Sequence, residues 1–319
     1  MSSLDHTVTR AELPLVSIVT PTFNQCHFLR ETIESVLGQN YPRVEYLVFD
    51  DGSTDATPQI LSEYTGRIMW ESQPNMGQTP TINKGWQRSG GEIVTWLNSD
   101  DTLLPEALEK VVSYFRQRPE VDIVFGDTLF TEENGTPIEQ SKSRSVFDYK
   151  KFVVECENPI AQPSAFIRRR VVDDVGLLDP HYYYFMDWDF WLRAGMNHPI
   201  SYFPGPLSTY RLHSESKTVA QAAKAAPELE YMYRKFFSRN DVPPEIRRLE
   251  RRAMVNMFFT SGGYYLSGKD QKAAARMALR ALRIYPRAVL EREMVHKLAY
   301  CLLGSTSTYQ RGRKIFNKA

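Results

Sequence analysis

The chain has 319 residues, 42% of them hydrophobic, which is enough for one large domain or two without disulfide support. Its three cysteines are far apart and form no Cys-x-x-Cys pair, which argues against a zinc cluster or a disulfide framework. Residues 1–10 lack the apolar stretch of a signal peptide, and no apolar run approaches the ~20 residues of a membrane-spanning helix. We therefore expect a cytoplasmic protein.

The formal charge of +1 conceals an uneven distribution along the chain. Residues 1–220 hold 19 Lys+Arg and 30 Asp+Glu, whereas the stretch from 221 to the end holds 20 and 8. An acidic first part followed by a basic tail indicates two units with different tasks. We predict a flexible N-terminus at 1–13, a folded domain at 14–218 and a basic α-helical region at 219–319.

Strands and helices alternate through the first 126 residues. Apolar, β-branched runs predict strands at 15–20, 44–50, 67–71, 92–97 and 121–126. Apolar residues at helical spacing predict helices at 28–39, 54–64, 79–88 and 105–118. This alternation is typical of a doubly wound, mostly parallel, Rossmann-like α/β sheet.

The remaining sequence is less regular. We predict a surface helix at 145–155, a strand at 162–168, a helix with an acidic first turn at 187–196 and a strand at 200–211. After Ser216 the composition becomes rich in Ala, Arg and Lys, and helices are predicted near 221–238, 243–266, 269–284 and 286–303.

Two acidic clusters end predicted strands. Asp50 and Asp51 close the strand at 44–50, and Asp100 and Asp101 follow the strand at 92–97. Ligands bind at the carboxyl ends of strands in open α/β sheets, and Mg²⁺ or Mn²⁺ combines carboxylate with phosphate oxygens. The alternative for Asp101 is a helix N-cap ahead of the helix at 105–118. Two acidic strand ends in one domain favour a cation- and nucleotide-binding crevice.

Several strings occur in the order found in family 2 glycosyltransferases, whose fold is the GT-A fold for nucleotide-diphospho-sugars. They are Val16–Asn24, Leu37–Pro42, Val48–Asp55, Asn83–Gly85 and Trp96–Asp101. The chain resembles this family over roughly residues 14–216. The resemblance implies a GT-A domain followed by an α-helical C-terminal extension.

On the nucleotide side, the resemblance implies that Asp51 binds the base, with Pro21 and Phe23 beside it. Lys84 lies in a matched string and is expected to contact the nucleotide-sugar. A carboxylate accepts a hydrogen bond from an imide N–H, which favours a UDP-sugar. Thymine and guanine offer the same kind of donor, so the base stays open.

The implied cofactor is a divalent metal, Mn²⁺ or Mg²⁺. Asn98 replaces the first Asp of the family's Asp-x-Asp metal motif and can still bind the ribose. Asp100 then becomes the main metal ligand, with Asp101 beside it. In the closing string Tyr210–Ser214, the resemblance implies that His213 approaches the metal and that Arg211 holds the diphosphate.

The string Tyr184–Arg193 resembles the family's catalytic segment. Asp187 matches the residue regarded as the base, whereas Met186 stands where the family often has Glu. Inverting transfer requires a group that takes the proton of the acceptor hydroxyl. Asp187 could also cap the following helix, which is compatible with catalysis. Asp189 is expected to pair with Arg193 at i+4.

The resemblance implies an inverting, hexosyltransferase-like enzyme that moves a sugar to a hydroxyl of a glycan or lipid-linked acceptor. Polysaccharide or glycolipid synthesis for the cell envelope would use such a reaction, with Gln162 and Trp188 on the acceptor or sugar side. A nucleotidyltransferase would need a Gly-rich, basic loop after the first strand, which Pro21–Gln25 is not. A non-catalytic membrane- or carbohydrate-binding protein with this fold is a further alternative.

The tail combines basic and apolar residues at helical spacing. The basic ones are Arg247, Arg248, Arg251, Arg252, Arg276, Arg280, Arg283 and Arg287, and between them lie Met254, Met257, Phe258, Phe259, Leu279 and Leu282. Such helices can make a peripheral contact with the inner face of an anionic membrane. They can equally form a bundle with a solvated face. No recognised nucleic-acid-binding module is present in the sequence, so no nucleic-acid partner is expected.

Overall fold

The computed structural model describes residues 12–140, 146–213 and 222–304. Nearly all of the N-terminus at 1–13 that we predicted to be flexible therefore lies outside the described residues. The chain divides into two compact units that interleave in sequence. The sheet unit comprises Met1–Phe147, Pro159–His181 and Asn197–Arg211, and the helical unit comprises Asp148–Asn158, Tyr182–Met196 and Leu212–Ala319. The domain boundary expected from composition, between 218 and 219, lies within 214–221, which are outside the described residues.

One mixed sheet forms the centre of the sheet unit. Its strands are β1 (Val16–Thr22), β2 (Val44–Asp50), β3 (Met69–Ser72), β4 (Ile93–Trp96), β5 (Thr102–Leu103), β6 (Ile123–Thr131), β7 (Pro137–Gln140), β8 (Ala165–Arg168) and β9 (Ile200–Arg211). The order is β3-β2-β1-β4-β8-β6-β9-β5, and β7 pairs with β6. Strands β3, β2, β1 and β4 are parallel, and so are β6 and β9. Strands β8 and β5 run antiparallel to their neighbours.

Helices cover both faces of the sheet. In the sheet unit they are α1 (Cys26–Leu37), α2 (Thr57–Glu63), α3 (Gln78–Arg88), α4 (Ala107–Gln117) and α6 (Arg169–Val175). Ile18 of β1 belongs to the apolar core that includes Ile33 of α1. The next residue, Val19, faces α3, where a Cβ on Gly85 would lie only 2.4 Å from it. Alternate residues of β1 thus pack on opposite sides, and the doubly wound α/β prediction is confirmed.

Several sequence predictions match closely, and the differences have local causes. Strands β2 and β9 have the predicted bounds. At 162–168 only Ala165–Arg168 is a strand, because Gln162–Ser164 form a 3₁₀ turn around a proline. Strands β5 and β7 and helix α6 were not predicted. Helix α4 has Glu106 as its N-cap, so Asp101 does not cap this helix.

The helical unit contains two short insertions and the tail. Its helices are α5 (Tyr149–Glu155), α7 (Met186–Ala194), α8 (Ala222–Ser238), α9 (Pro244–Arg247), α10 (Glu250–Ser267), α11 (Gln271–Ile284) and α12 (Arg292–Leu303), with a 3₁₀ turn at Pro286–Leu290. The predicted helix at 243–266 is thus divided into α9 and α10. Within the described residues, no helix has the length and apolar content needed to cross a membrane.

Aromatic rings and polar side chains join these helices. The Trp188 ring of α7 lies 6.1 Å from Phe152 of α5 and 6.4 Å from Tyr233 of α8, measured between ring centroids. The Tyr149 hydroxyl donates to the Leu192 carbonyl at 2.6 Å. The segment that carries Asp187 therefore shares its core with α5 and with the tail.

Candidate active site

Asp51 fixes the loop between β3 and α3. Its side chain is buried, and one carboxylate oxygen accepts from the Gln73 amide and the Met76 N–H, both at 2.9 Å. The other oxygen accepts from the Gly77 N–H at 2.8 Å. Three donors leave one of about four lone-pair positions of the carboxylate for a ligand. Binding of a nucleotide base by Asp51 stays a prediction.

The loops after β1 and β2 are joined by hydrogen bonds. Asn24, in the left-handed region at φ 52°, accepts from the Thr54 N–H at 2.8 Å, and its own N–H donates to the Ser53 hydroxyl. Next to it, Phe23 has 45% of its surface exposed, whereas Pro21 is buried. An exposed aromatic ring at a strand end offers a stacking surface for a planar ligand.

Lys84 lies on α3, and its ammonium group is hydrogen-bonded to a residue of β3 and to the residue that follows β3. Its ammonium donates to Glu71 and to the Gln73 side-chain oxygen, both at 2.7 Å, and lies 5.2 Å from the Phe49 ring centroid. Gln73 in turn donates to Asp51. Lys84 is thus connected to Asp51 through one intervening amide, and a direct contact with a donor stays a prediction.

Asn98 is the centre of an amide network at the end of β4. Its side-chain oxygen accepts from Gln78, the first residue of α3, at 2.7 Å. Its NH₂ group donates to the Gln162 oxygen at 3.2 Å and to Asp101 at 3.3 Å. The Gln162 NH₂ group donates to the Trp96 carbonyl at 2.7 Å. Since each amide has one acceptor and one donor side, this network requires Asn rather than Asp at position 98.

Asp101 and Arg211 connect the β4 end to β9. The buried Asp101 carboxylate accepts from the Arg211 backbone N–H at 3.1 Å. The Arg211 guanidinium donates to the Asp100 carbonyl at 3.0 Å and to the Glu133 carbonyl at 2.7 Å, and it pairs with Glu31. Arg211 therefore supports the turn that carries both aspartates. Its contact with a diphosphate stays a prediction.

The two aspartates suit a divalent cation. Burial and the neighbouring Asp100 charge raise the pKa of Asp101 well above its usual range, although hydrogen bonds from Arg211 and Asn98 oppose this. A bound cation would relieve that repulsion. The described part of the chain contains no group of three or more His, Cys, Asp or Glu side chains arranged for a metal. A nucleotide-bound Mg²⁺ needs only one or two carboxylates, because phosphate oxygens and water complete its shell.

Asp187 lies in the first turn of α7 in the helical unit. Burial raises the pKa of its half-buried carboxyl to about 6, and the Glu228 charge contributes in the same direction. The backbone N–H groups of Trp188 and Asp187 itself and the Asn158 amide, at 3.3 Å, oppose this rise. The N-cap of α7 is Phe185, so Asp187 is not the capping residue. A carboxylate with a pKa near 6 is a stronger base than an ordinary aspartate and is still mostly ionised at pH 7.

Glu228 is a residue that the sequence analysis missed. This carboxylate of α8 accepts hydrogen bonds from the backbone N–H groups of Tyr183, Tyr184 and Phe185, at 3.0, 2.6 and 2.8 Å. These residues immediately precede α7, so Glu228 positions the start of the helix that carries Asp187. Only its rarity as an acidic residue in a basic tail could have drawn attention to it.

Two further candidates and one expected ion pair belong to the helical unit. Trp188 is buried, and its indole N–H has no hydrogen-bond partner among the described residues. His213 is buried and directly precedes the undescribed stretch 214–221. Their predicted roles toward acceptor and metal remain untested. The expected ion pair between Asp189 and Arg193 is confirmed at 2.8 Å, and both side chains are nearly buried.

The chain matches the family described as Glycosyl transferase family 2 over residues 17–176, which is half of its length. The mixed α/β sheet, with carboxylates at the ends of its strands, has the GT-A fold. The chain belongs to Glycosyl transferase family 2.

Sequence relatives carry glycosyltransferase names. An uncharacterized glycosyltransferase of Rickettsia felis is 28% identical over 209 residues, covering 63% of this chain and 35% of the relative. TuaG of Bacillus subtilis, whose name assigns it provisionally to teichuronic acid biosynthesis, is 34% identical over 131 residues, covering 40% of this chain and 52% of TuaG. The match spans only about a third of the length of the first two Rickettsia relatives, 35% and 34%.

Solved structures share the fold. The Staphylococcus aureus TarS fragment 1–349 in complex with UDP-GlcNAc superposes with a TM-score of 0.66 at 16% identity, covering 93% of this chain and 92% of that fragment. The mannosyltransferase PcManGT of Pyrobaculum calidifontis, in complex with GDP-Man and Mn²⁺, gives a TM-score of 0.60 at 16% identity, covering 100% and 92%. At this identity the likeness establishes the GT-A fold alone.

Proposed function

We propose that the protein is an inverting hexosyltransferase that moves a sugar from a nucleotide-diphosphate donor to a hydroxyl group. The observation that carries the proposal is a path of hydrogen bonds along the sheet edge, joined in the middle by the backbone from 76 to 78. It runs from Asp51 through the backbone at 76–77 to Gln78 and on to Asn98 and Asp101. One end of this path suits a base and the other suits a diphosphate.

The donor is proposed to be a UDP-sugar. A carboxylate such as Asp51 can accept the imide N–H of uracil through its remaining lone pair, and the exposed Phe23 ring offers a stacking surface. TarS in complex with UDP-GlcNAc supports this class of donor. PcManGT, in complex with GDP-Man, makes GDP-sugars the first alternative to test.

The chemistry requires one base and a stabilised leaving group. Asp187 accepts the proton of the acceptor hydroxyl while that oxygen bonds to the anomeric carbon, and the bond from this carbon to the diphosphate breaks. When bound, a divalent cation held by Asp100 and Asp101 would neutralise charge on the departing diphosphate. Asn98, fixed by Gln78 and Gln162, presents an amide rather than a third carboxylate beside that charge.

The acceptor is proposed to be a glycan or a lipid-linked glycan of the cell envelope. The name of TuaG, with its provisional assignment to teichuronic acid biosynthesis, supports an acceptor of this kind. Gln162 and Trp188 are the proposed contacts on the acceptor side. Among the described residues, the indole N–H of Trp188 has no hydrogen-bond partner, which makes it a donor suited to an acceptor hydroxyl.

The proposal is tested by thermal stabilisation and donor hydrolysis across UDP-, GDP- and dTDP-sugars, with and without Mn²⁺. A ligand that binds the native state raises the melting temperature by mass action. We expect one nucleotide series to stabilise the protein and to be hydrolysed only with the metal. Asp100→Asn should lose both effects, whereas the exposed control Asp173→Asn should keep them.

A protein that responds to no donor would contradict the enzyme proposal. In that case, a non-catalytic carbohydrate- or membrane-binding protein with the same fold would explain the structure better.

A further inference from the structure

Helix α11 presents a basic face to solvent. Its exposed residues Lys272, Arg276, Leu279 and Arg283 recur at i, i+4, i+7 and i+11, which places them on one side of the helix. The other side is made of small buried residues, Ala273, Ala274, Ala278 and Ala281. That alanine side packs on α10. The basic stripe, from Lys272 to Arg283, is therefore not needed for packing in the helical unit and extends over about 16 Å.

The charge of the basic stripe is not neutralised locally. Residues 271–290 contain five Lys or Arg and no Asp or Glu. The nearby acidic residues are occupied elsewhere: Asp270 accepts from the Ala273 N–H at 2.9 Å, Glu230 pairs with Arg234 and Arg280, and Glu291 accepts from the Tyr285 hydroxyl at 2.6 Å and from Arg252 at 3.0 Å. Among the described residues, Lys272, Arg276 and Arg283 have no ion-pair partner.

Apolar side chains adjoin the basic stripe. Leu279 lies within it and has 51% of its surface exposed, and the following 3₁₀ turn carries Leu290, which is 80% exposed. The Gln271 amide donates to the Leu302 carbonyl at 2.8 Å, which places the end of α12 beside the start of α11. The last residue of α12, Leu303, is 72% exposed. Exposed leucines next to unpaired cations form a mixed surface rather than a solvated polar one.

The structure separates this face from the other basic residues of the tail. Arg251 donates to the Ile284 carbonyl and Arg247 donates to the Phe237 carbonyl, so both join parts of the helical unit. Buried core residues follow Arg251 on α10, and these are Met254, Met257, Phe258 and Phe259. The candidate membrane-binding surface is therefore smaller than the basic, amphipathic surface expected from the sequence. It comprises α11 and the turn that follows it.

We propose that the basic stripe, together with Arg287 and Leu290 of the following turn, docks on an anionic lipid membrane. Lys and Arg side chains near an anionic surface attract it, while leucines enter the boundary between headgroups and acyl chains. A nucleic acid would use the cations but would gain nothing from Leu279 and Leu290. The combination of both kinds of side chain therefore favours a lipid surface.

The test uses the full chain, sedimented with vesicles of phosphatidylcholine alone or mixed with phosphatidylglycerol, with neither donor nor acceptor present. Failure of glycosyl transfer and failure of membrane docking are thus separate results. We expect binding only to the phosphatidylglycerol vesicles, and weaker binding at high salt because salt screens the attraction. Each cation near such a surface contributes about a fivefold gain in affinity.

Two double variants locate the binding surface. Arg276→Glu with Arg283→Glu should weaken vesicle binding by about thirtyfold or more, since two cations are lost. Arg116→Glu with Lys150→Glu changes the net charge equally at exposed positions on α4 and α5 and should leave binding close to wild type. Leu279→Gln with Leu290→Gln should reduce the part of the binding that persists at high salt. Melting temperatures of all variants establish that they fold.

Four outcomes would overturn the proposal. They are no binding of the wild type to phosphatidylglycerol vesicles, equal binding to phosphatidylcholine, equal loss in the control variant, and unchanged binding of the Arg276→Glu, Arg283→Glu variant. A duplex DNA probe that binds through these arginines, while vesicles do not bind, would assign the face to nucleic acid instead. The salt dependence and the lipid comparison are measured on wild-type protein and do not depend on any variant.

Discussion

Two regions of the molecule use one carboxylate to fix the residues ahead of a helix. In the sheet unit, Asp51 accepts from the backbone N–H groups of Met76 and Gly77, just before α3 begins at Gln78. In the helical unit, Glu228 accepts three backbone N–H groups just before α7 begins at Met186. Helix N-termini leave N–H groups unsatisfied and favour negative charge, so the two solutions have the same physical basis.

The two regions differ in where the carboxylate comes from and in what it affects. Asp51 follows a strand and belongs to a string that the sequence already distinguishes. Glu228 lies on a tail helix, 43 residues after Phe185, whose backbone N–H donates a hydrogen bond to it. Its charge also raises the pKa of Asp187. The same hydrogen-bonding solution thus orders the residues before both helices, and in the helical unit it is also electrostatically coupled to the candidate base.

The largest effect is expected from Asp187→Asn, which removes the group that the second region positions. We expect kcat/KM to fall by about 10²–10⁴, the usual contribution of a general base. The melting temperature should hardly change, because the amide keeps the shape of the side chain. Steady-state kinetics checks this, with the donor that the thermal stabilisation test selects and with Asp173→Asn as the matched control. Near-normal turnover of Asp187→Asn would exclude this residue as the base.

The next largest effect is expected from Asp51→Ala, which removes the acceptor of three hydrogen bonds in a buried position. Each buried donor left without a partner costs about 1–3 kcal/mol, so the free energy of unfolding should fall by about 3 kcal/mol or more. Urea denaturation measures this. Asp51→Asn retains one acceptor oxygen and should lose less. Equal losses for both variants would show that volume, rather than hydrogen bonding, decides stability here.

Glu228→Ala should have a smaller effect on stability, because water can reach its half-buried carboxylate and replace part of the lost hydrogen bonding. We expect a loss of about 1–3 kcal/mol in the free energy of unfolding and a fall in kcat/KM, since the start of α7 loses its support. Glu245→Ala, at an exposed site on α9, is the control. If Glu228→Ala lowered stability but left kcat/KM unchanged, its role would be structural only.

The smallest effect concerns pH. Asp187 must be ionised to accept a proton, so the wild-type kcat/KM should be full above the pKa of about 6 and decline as pH falls through it. Glu228→Gln removes a negative charge that raises this pKa and should shift the decline to lower pH by a fraction of a pH unit. A pH–rate profile of both proteins measures the shift. A shift to higher pH would contradict the electrostatic coupling.

The sequence predicted strands β1 to β4 because each lies in a short stretch rich in apolar and β-branched residues and is followed by turn residues. It did not predict β5, whose two residues are held by a hydrogen bond between the side chains of Thr102 and Thr209, 107 positions apart. Helix α6 was also missed. It has only seven residues, and Arg169 at its start donates to carbonyls of Gly91 and Trp86 far earlier in the chain.

The candidate site divides in the same way. Asp51, Asp100 and Asp101 stand in strings whose position after a strand already marked them as candidates. Gln78 and Glu228 stand in no such string. Gln78 contacts Asn98, and Glu228 contacts the backbone at 183–185. These partners are distant in sequence and come together only in the folded chain. Local pattern therefore singles out candidates for the chemistry more readily than it singles out residues that position them.

The origin of Glu228 has a consequence for how this protein can evolve. Helix α8 and the segment that leads to Asp187 both lie beyond the family match at 17–176, and the α8 carboxylate supports that segment. A recombination event that exchanged the chain after residue 213 for an unrelated tail would remove three hydrogen bonds from that segment. Homologues with different tails must therefore provide another acceptor or lose the ordered start of α7. Because the donors are backbone N–H groups, only proline at 183–185 would remove them, whereas position 228 must keep an acceptor side chain.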